Sequence, residues 1–360
     1  MSRRRRRRTS AWLVFAVAII AAAGAYLAHS GPARSSAGSA QNATPAAPQA
    51  APAAAGSWQL IQEPAAGLAG IQQLITGAQR SIDMTMYELQ DTQTVDELTA
   101  AAQRGVKVRV ILDAAYNGKQ ANADAYAQLQ RGGVAVKWGP ADTIVHQKTI
   151  TADAGQAGAV SAIGTGNLQQ QYYARTLDAW VLDRDQAQVS AIEATFTSDW
   201  AAMPAQLGQT AAAEGLLWSP GAESAVAAVV SQATSRVQFS SEELSDRTVI
   251  EALEARARAG VACQVLMTEQ GEYDDALQQL QAAGCSVRAY PDSSRDLYVH
   301  EKQVIVDGRE LLIGSQNASR ASLGYDRELS VLVTSSSAAS VVDGAENAYA
   351  SAFNGAPAFK

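Results

Sequence analysis

The chain has 360 residues, of which 47% are hydrophobic and 18% charged, a composition typical of a globular protein with two or three domain-sized units. Seven of its 28 lysines and arginines lie in the first 56 residues, which contain no acid, so residues 57–360 carry 21 bases against 35 acids, a net charge of -14. This balance argues against a general polyanion-binding surface, and three histidines with two cysteines argue against a Cys/His zinc site. We therefore expect neither a metal nor a cofactor.

The first 30 residues predict an export signal. A block of six arginines is followed by 18 residues without a charge, from Ala11 to Ala28. Because the arginines should stay cytoplasmic, the rest of the chain is expected beyond the cytoplasmic membrane. Small residues at Ala28 and Ser30 suit a cleavage site, and the apolar run also suffices as an anchor, so a secreted and a membrane-anchored protein both remain open.

Residues 31–56 consist almost wholly of Ala, Pro, Ser, Gly and Gln. Such a segment has too few large apolar groups to offset the entropy that is lost on ordering. We therefore expect a disordered, flexible linker between the export signal and the folded part of the chain.

The remainder of the chain is an internal duplication, with a first repeat at 57–208 and a second at 209–360. The two align at an offset of about 155 residues. For example, MYELQD at 86–91 recurs as SEELSD at 241–246. Each repeat should therefore form the same arrangement of strands and helices.

In each repeat an amphipathic helix ends at a glycine before a buried strand. Gly105 and Gly260 occupy these positions, where the C-terminus of a helix needs a left-handed residue. A second helix and strand follow in each repeat. This alternation predicts α/β layers with a largely parallel sheet and helices on its faces.

The two cysteines, Cys263 and Cys285, both lie near the starts of predicted strands in the second repeat. An oxidising compartment beyond the membrane permits a disulfide if these strands are neighbours. Two buried thiols are the alternative, and the sequence leaves both open.

Both histidines of the folded part occupy the same position of the repeat. His146 lies in VHQKTITAD and His300 in VHEKQVIVD. The lysine two residues later shares a strand face with the histidine. The further matched residues are Lys148, Asp153, Gly164, Thr165, Asn167 and Asp178 in the first repeat, and Lys302, Asp307, Gly314, Ser315, Asn317 and Glu328 in the second.

This double pattern of His-x-Lys, Asp and Gly-Ser/Thr-x-Asn resembles the phospholipase D superfamily. The resemblance covers essentially all of residues 57–360. The second motif keeps the seven-residue step from Asp to Gly that the superfamily shows, whereas the first motif has eleven residues and places Thr165 where Ser is usual. A longer hairpin and a retained hydroxyl group both fit the family pattern.

The resemblance implies a duplicated α/β fold of two mixed β-sheets flanked by helices, with a pseudo-two-fold axis and the active site between the halves. It also implies a phosphodiesterase that works through a phosphohistidine. By the resemblance, His146 is the nucleophile and His300 the general acid and base, although the symmetry of the repeat leaves the reverse order open. Asp178 and Glu328 are expected to accept a hydrogen bond from the second ring nitrogen of each histidine, which fixes its tautomer.

The remaining matched residues form two groups. Six polar side chains are expected to hold the phosphate oxygens: Lys148, Lys302, Asn167, Asn317, Thr165 and Ser315. Asp153 and Asp307 follow the lysines at an odd spacing, which turns them to the other face of the strand. We expect them to be structural, in a turn or an ion pair.

The superfamily contains phospholipases, phosphatidyl transferases such as cardiolipin synthases, and nucleases, and the motifs do not separate them. Export, an acidic body and an N-terminal tether favour a phospholipase D that cleaves a phospholipid headgroup ester at a membrane surface, with transphosphatidylation when an alcohol replaces water. A cardiolipin-synthase-like transferase and a secreted, metal-independent endonuclease are the alternatives. No obligate protein partner is evident.

A nuclease would need a local basic groove on this acidic protein. The sequence offers Arg131, Lys137, Arg175, Arg288, Arg295 and Arg320 for one. A degenerate repeat that serves as an envelope scaffold is the non-enzymatic alternative, and the presence of two intact motifs argues against it.

Overall fold

The computed structural model describes residues 58–360. The predicted export signal, residues 1–30, and the predicted linker, residues 31–56, lie outside the described residues. Within the described part, no helix combines the length and the apolar character that a membrane crossing requires.

The first repeat contains eight strands and five helices. Its strands are β1 (Trp58–Gln62), β2 (Ser81–Met86), β3 (Lys107–Leu112), β4 (Ala135–Trp138), β5 (Lys148–Ala152), β6 (Val160–Gly164), β7 (Thr176–Leu177) and β8 (Ala179–Asp183). Its helices are α1 (Ala69–Gly77), α2 (Thr92–Gln103), α3 (Gly118–Ala121), α4 (Ala123–Arg131) and α5 (Gln186–Ala202).

The second repeat follows after a connecting segment that contains the predicted boundary at residue 208. Its strands are β9 (Leu216–Ser219), β10 (Arg236–Ser240), β11 (Ala262–Thr268), β12 (Ser286–Tyr290), β13 (Tyr298–Val299), β14 (Lys302–Val306), β15 (Glu310–Gly314) and β16 (Glu328–Thr334). Its helices are α6 (Glu223–Ser231), α7 (Arg247–Arg258), α8 (Asp274–Ala283), α9 (Arg320–Gly324) and α10 (Ser335–Gly355), with a short 3₁₀ turn at Gly271–Tyr273.

The two repeats build matching seven-stranded sheets. The strand order is β1-β8-β6-β5-β2-β3-β4 in the first and β9-β16-β15-β14-β10-β11-β12 in the second. This confirms the expected duplication of a mixed α/β unit. The expectation of a largely parallel sheet is wrong, because only β2-β3-β4 and β10-β11-β12 pair in parallel while the other neighbours are antiparallel. Strands β5, β6 and β8, like β14, β15 and β16, follow one another without a helical crossover and therefore alternate in direction.

The matched helices α2 and α7 begin with the same kind of N-terminal cap and end at the same kind of glycine. The side chain of Asp91 accepts a hydrogen bond from a backbone amide in the first turn of α2, and Asp246 does the same for α7. Both helices are followed by a left-handed glycine, with φ of 91° at Gly105 and 85° at Gly260. The predicted ends of these helices are confirmed, since a side chain at either glycine would strain this conformation.

The three largest apolar clusters hold the layers together. One lies between the first sheet and helices α1, α2 and α4, and a second lies between the second sheet and α6, α7 and α8. The third joins the two sheets face to face, through residues such as Ile163 and Val181 of the first repeat and Ile313 and Val331 of the second, with Tyr349 of α10 beside them. The two repeats therefore form a single packed body in which the sheets face each other.

Short backbone contacts tie the repeats together at one edge of this double sheet. Strand β7 pairs in parallel with β13, and the amide of His300 donates to the carbonyl of Leu177 at 3.2 Å. At the matched place, the amide of Gln147 donates to the carbonyl of Arg327 at 2.9 Å, and the amide of Arg327 donates to the carbonyl of Ile144 at 2.9 Å. Each histidine segment is therefore hydrogen-bonded to the opposite repeat.

Candidate active site

The two histidines lie directly before matched central strands. Strands β5 and β14 begin at Lys148 and Lys302, two residues after His146 and His300. The ammonium group of each lysine donates to the backbone carbonyl of the histidine that precedes it, at 2.6 Å for Lys148. Because both strands lie in the middle of their sheets, each His–Lys pair is held on a rigid element.

Each histidine is held by a carboxylate of the other repeat. The Nδ1 atom of His146 lies 2.8 Å from Oε2 of Glu328, and Nδ1 of His300 lies 2.8 Å from Oδ1 of Asp178. The histidine side chains are only 12% and 9% exposed, and both carboxylates are buried. The structure thus contains a contact between each histidine and a matched carboxylate, and the contacts cross between the repeats. Since Nδ1 is engaged, Nε2 is the nitrogen available for chemistry.

The two imidazoles differ in their electrostatic surroundings. Burial lowers the pKa of His146 to about 4, with Lys148 acting in the same direction and Glu328 against it. Burial also opposes the protonation of His300, but Asp178 and Glu242 outweigh it and raise the pKa of His300 above its ordinary value. The site therefore favours a neutral imidazole at His146 and an imidazolium at His300.

The hydroxyl groups of Thr165 and Ser315 are hydrogen-bonded within the protein, and their role as phosphate ligands stays a prediction. Thr165 Oγ1 donates to Oδ1 of Asp178 at 2.6 Å and accepts from the amide of Ala179 at 2.9 Å. Ser315 Oγ accepts from the amide of Leu329 at 3.2 Å. Both residues are buried, so their hydroxyl groups support the segments that carry Asp178 and the matching glutamate.

The amides of the two motifs lie on matched loops after β6 and β15. Asn167 is half-buried, and its Oδ1 atom has no hydrogen-bond partner within residues 58–360. Asn317 is buried, with Oδ1 3.5 Å from Oγ of Ser241. Their role as phosphate ligands stays a prediction.

Asp153 and Asp307 lie at the opposite end of β5 and β14 from the histidines. Asp153 accepts hydrogen bonds from the backbone amides of residues 79–81, and Asp307 accepts from those of residues 234–236. Both adopt a left-handed conformation, with φ of 56° and 54°. They hold turns at the far edge of the sheets, which fits the structural interpretation.

Glu242 and Ser322, which lie outside the motifs, form polar contacts with residues of the site. Oε2 of Glu242 lies 3.2 Å from Nε2 of His300 and 3.1 Å from Nζ of Lys302. Ser322 Oγ donates to Oε1 of Glu328. The sequence does contain a signal for Glu242. In the aligned segments MYELQD and SEELSD, Glu242 replaces Tyr87 just after a strand. Nothing in the local sequence marks Ser322.

Three half-buried carboxylates, Glu88, Glu243 and Asp326, lie close enough to these groups to interact with their charges. Burial, together with neighbouring negative charges, raises the pKa of Glu243 to about 7 and that of Asp326 to about 8. Burial raises the pKa of Glu88 as well, with Lys148 opposing it. The raised pKa of each of these three groups favours its protonated, neutral form.

Three of the six basic residues suggested for a groove are engaged or placed away from the histidines. Lys137 Nζ donates to the carbonyl of Trp200 at 2.6 Å, and a guanidinium nitrogen of Arg288 donates to the carbonyl of Ala356 at 2.9 Å. Arg131 ends helix α4 at the edge of the sheet where β4 begins, which is opposite to the histidines. At least three of the six are thus engaged or placed elsewhere.

Cys263 on β11 and Cys285 before β12 form a disulfide. Strands β11 and β12 pair in parallel, with Gln264 opposite Ser286, which places the two cysteines side by side. Of the two alternatives that the sequence left open, the structure contains the bridge.

The assembled groups can carry out attack at phosphorus. They comprise an imidazole that favours the neutral form, an imidazole that favours the charged form, two buried lysines and an amide oxygen and nitrogen on each loop. Such a set can supply a nucleophile, a proton donor for a leaving alkoxide and positive charge for the non-bridging oxygens. Among the described residues, no group of three or more His, Cys, Asp or Glu side chains is arranged to hold a metal ion.

The sequence profile of the family described as "Cardiolipin synthase, PLD-like domain" matches residues 71–200 and 226–347, one stretch in each repeat. A search of curated protein sequences found no match.

Three solved structures are similar to the chain. A phosphatidylserine synthase from Haemophilus influenzae Rd KW20 matches at 13% identity and a TM-score of 0.67, over 87% of this chain and 90% of that one. A polyphosphate kinase from Porphyromonas gingivalis matches at 17% identity and 0.59, over 77% of this chain and 44% of that one, so the chain spans less than half of that kinase. Nuc from Salmonella typhimurium, a phospholipase D family member, matches at 17% identity and 0.36, over 40% and 96%. At these identities the first two likenesses bear on the fold alone.

Proposed function

Because the chain belongs to the phospholipase D superfamily, through a family match that spans both repeats, we propose that it is a phospholipase D. The enzyme hydrolyses the headgroup ester of a phospholipid to phosphatidic acid and a free alcohol, through a phosphohistidine. The observation that carries this proposal is the pair of histidines, each held at Nδ1 by a carboxylate of the opposite repeat.

The proposed reaction has two steps. In the first, the neutral Nε2 of His146 attacks phosphorus, the bond from phosphorus to the headgroup oxygen breaks, and that oxygen takes a proton from His300. In the second, His300 takes a proton from water, the water oxygen attacks phosphorus, and the bond to His146 breaks. The opposite protonation preferences of the two imidazoles support this division.

Positive charge for the non-bridging oxygens comes from Lys148 and Lys302 in this proposal. Burial lowers the pKa of Lys148 to about 7, with Lys302 acting in the same direction and Glu328 against it. A bound phosphodiester carries a negative charge that would favour the protonated lysine. Substrate and ammonium charge therefore stabilise each other in the site.

The charge around the site supports a phospholipid over a nucleic acid. Three of the six basic residues considered for a groove are engaged elsewhere or distant from the histidines. A polynucleotide binds mainly through clustered cations that replace its counterions. A single phosphodiester needs only the positive charge that Lys148 and Lys302 supply in this proposal.

Two exposed tyrosines support action at a lipid surface. Tyr116 and Tyr325 are 57% and 53% exposed. Tyr116 follows β3. Tyr325 lies two residues before Arg327, whose backbone is hydrogen-bonded to Ile144 and Gln147, one on each side of His146. Tyrosine suits the boundary between water and acyl chains, because its ring is apolar and its tip polar. We propose that both side chains contact the bilayer.

Phosphatidyl transfer is the second candidate. The matched family is described as "Cardiolipin synthase, PLD-like domain", and one solved structure with the same fold is a phosphatidylserine synthase. The chemistry is the same up to the phosphohistidine, after which an alcohol attacks in place of water. The acceptor therefore separates the two candidates.

The test uses the full chain in detergent micelles, mixed with phosphatidylcholine and phosphatidylethanolamine vesicles in the presence of EDTA. Release of choline or ethanolamine is measured beside nicking of plasmid DNA, with His146→Ala as the blank. Hydrolysis predicts phosphatidic acid as the main product, even with glycerol or phosphatidylglycerol present. Phosphatidylglycerol or cardiolipin as the main product would favour transfer, and DNA nicking without lipid turnover would contradict both.

A variant with Tyr116→Ser and Tyr325→Ser tests the surface contact. It should lose several-fold in turnover of vesicles and keep its turnover of a soluble short-chain phosphatidylcholine, because only the vesicle requires interfacial binding. Equal losses on both substrates would show that the tyrosines support the site itself.

A further inference from the structure

The two repeats differ at one matched position beside the histidines. Tyr87 follows β2 in the first repeat, and Glu242 stands at the corresponding place after β10 in the second. The ring of Tyr87 meets the ring of His146 edge-on, with centroids 4.7 Å apart and an interplanar angle of 66°. A carboxylate stands against His300 where an aromatic ring stands against His146.

The carboxylate of Glu242 is fixed by three contacts. Oε2 lies 3.2 Å from Nε2 of His300 and 3.1 Å from Nζ of Lys302, and Oε1 accepts from the hydroxyl of Tyr298 at 2.9 Å. The side chain is 8% exposed. Although burial opposes ionisation, His300 and Lys302 hold the pKa of Glu242 well below its ordinary range. Glu242 is therefore a buried anion directed at the reactive nitrogen of one histidine.

His300 thus lies between two carboxylates, with Asp178 at Nδ1 and Glu242 at Nε2. His146 has one, Glu328 at Nδ1, and within residues 58–360 its Nε2 makes no hydrogen bond. The charged groups that face His300 are Asp178, Glu242, Lys302 and, further away, Glu63 and Glu88. The charged groups that face His146 are Glu328, Lys148, Lys302 and Glu242. The contact of a carboxylate with Nε2 is therefore present at His300 and has no counterpart at His146.

We infer that Glu242 is a positioning residue that divides the labour between the two histidines, by holding a proton on Nε2 of His300 and so leaving His146 as the nucleophile. This inference rests on the proposed phosphohistidine chemistry and deepens it. An anion 3.2 Å from Nε2 favours the imidazolium, whereas an aromatic neighbour such as Tyr87 provides no acceptor of comparable strength.

The proton balance of the first step is consistent with this role. As the bond from phosphorus to the headgroup oxygen breaks, the proton on Nε2 of His300 moves to that oxygen and His300 becomes neutral. Glu242 stays ionised and keeps its hydrogen bonds from Lys302 and Tyr298. When water attacks in the second step, its proton returns to Nε2, again opposite the carboxylate. Glu242 gains and loses no proton over the cycle.

The first experiment maps the covalent intermediate and does not depend on a lipid. The full chain is mixed with bis(p-nitrophenyl) phosphate, whose nitrophenolate leaves without a proton donor, and the phosphorylated histidine is located by peptide mapping. The wild type should carry the label on His146 alone. Glu242→Gln should carry it on both His146 and His300, because it removes the charge that distinguishes them. Glu254→Gln, a change to a buried glutamate paired with Arg258 on α7, is the control and should match the wild type.

The second experiment compares leaving groups. Glu242→Gln should release choline from phosphatidylcholine vesicles at least tenfold more slowly, with a loss of less than threefold in the nitrophenolate burst, because only choline needs a proton. The alkaline limb of the pH–rate profile for choline release should move to lower pH, since without the charge of Glu242 His300 loses its proton more readily. Tyr298→Phe, which keeps the carboxylate and removes one of its hydrogen bonds, should move the limb in the same direction by less.

The outcomes separate this inference from the proposed function. A label on His300 in the wild type, or an unchanged label and pH profile in Glu242→Gln, would overturn the role of Glu242 even if choline is released. Absence of choline release together with the expected label pattern would overturn the phospholipase proposal and leave the role of Glu242 in place.

Discussion

The two repeats share one framework and differ at a few positions, and the differences are not spread evenly. Strand order, helix caps and the crossed contacts of the histidines are the same in both halves. The second repeat alone has a disulfide, a short hairpin after its motif aspartate and a glutamate against Nε2 of its histidine. A duplicated backbone places two equivalent histidines, and a single side chain beside each gives them different chemical surroundings.

The largest effect is expected from the crossed carboxylates. Asp178→Asn and Glu328→Gln should each lower lipid turnover by about 10²–10⁴-fold, because each change replaces the charged acceptor that orients one imidazole with a neutral amide. Asp178 contacts His300, so its change should spare the nitrophenolate burst, whereas Glu328→Gln should slow that burst as well. Circular dichroism shows whether both variants are folded. Identical profiles on the two substrates would mean that the histidines are not functionally different.

The disulfide should make the second repeat depend on oxidation. Replacing both Cys263 and Cys285 by alanine is expected to lower the free energy of unfolding by about 3 kcal/mol, the loop-closure value for a bridge across this sequence separation. Urea titration of the variant, and of the wild type with and without dithiothreitol, measures the change. If the reductant leaves the wild-type transition unmoved, the bridge does not contribute to stability.

The turn aspartates test the opposite edge of the sheets. Asp307→Ala should lower stability by about 1.5–3 kcal/mol and Asp153→Ala by less, since Asp307 also accepts from the hydroxyls of Thr234 and Ser235. Asp→Asn at the same positions is the milder control, because asparagine tolerates the left-handed backbone. Lipid turnover per folded molecule should be unchanged. A loss of turnover without unfolding would give these residues a role in the reaction.

Asp307 should also make the stability of the protein depend on pH. Although partial burial opposes ionisation, hydrogen bonds from Thr234 and the amides of residues 234–236 hold the pKa of Asp307 below its ordinary value of 3.8. A depressed pKa contributes stability that is present above the unfolded value and is lost as the pH falls through the folded one. In Asp307→Asn this contribution should be absent, so the difference in unfolding midpoint between wild type and variant should shrink below pH 4.

The smallest effect is expected from the longer hairpin of the first repeat. Deleting residues 155–158, which are exposed at the tip between β5 and β6, should change stability by less than about 0.5 kcal/mol and leave turnover unchanged. Thermal unfolding measures the change in stability, and choline release measures the turnover. A larger loss would show that the extra residues support the site.

Much of the framework could be predicted because it depends on local pattern and on repetition. The glycines that end α2 and α7 and the alternation of strands with helices are properties of neighbouring residues. The mixed direction of the sheets could not be derived from that alternation, since it depends on which strands are joined without a crossover. The hydrogen-bond partners of Thr165 and Ser315 were out of reach for a similar reason, because a motif gives the residue type and not the partner of its hydroxyl group.

The sequence by itself determined that the chain contains two copies of one unit and that the only two histidines of residues 57–360 lie at the same position in each. Only the tertiary structure decided which carboxylate meets which histidine. The partners are separated by 182 residues for His146 and Glu328 and by 122 for His300 and Asp178, and the short β-contacts between repeats bring them together. It also placed Glu242 against His300, where its charge distinguishes two sites that the repeat made alike, since electrostatic interaction depends on distance in space and not along the chain.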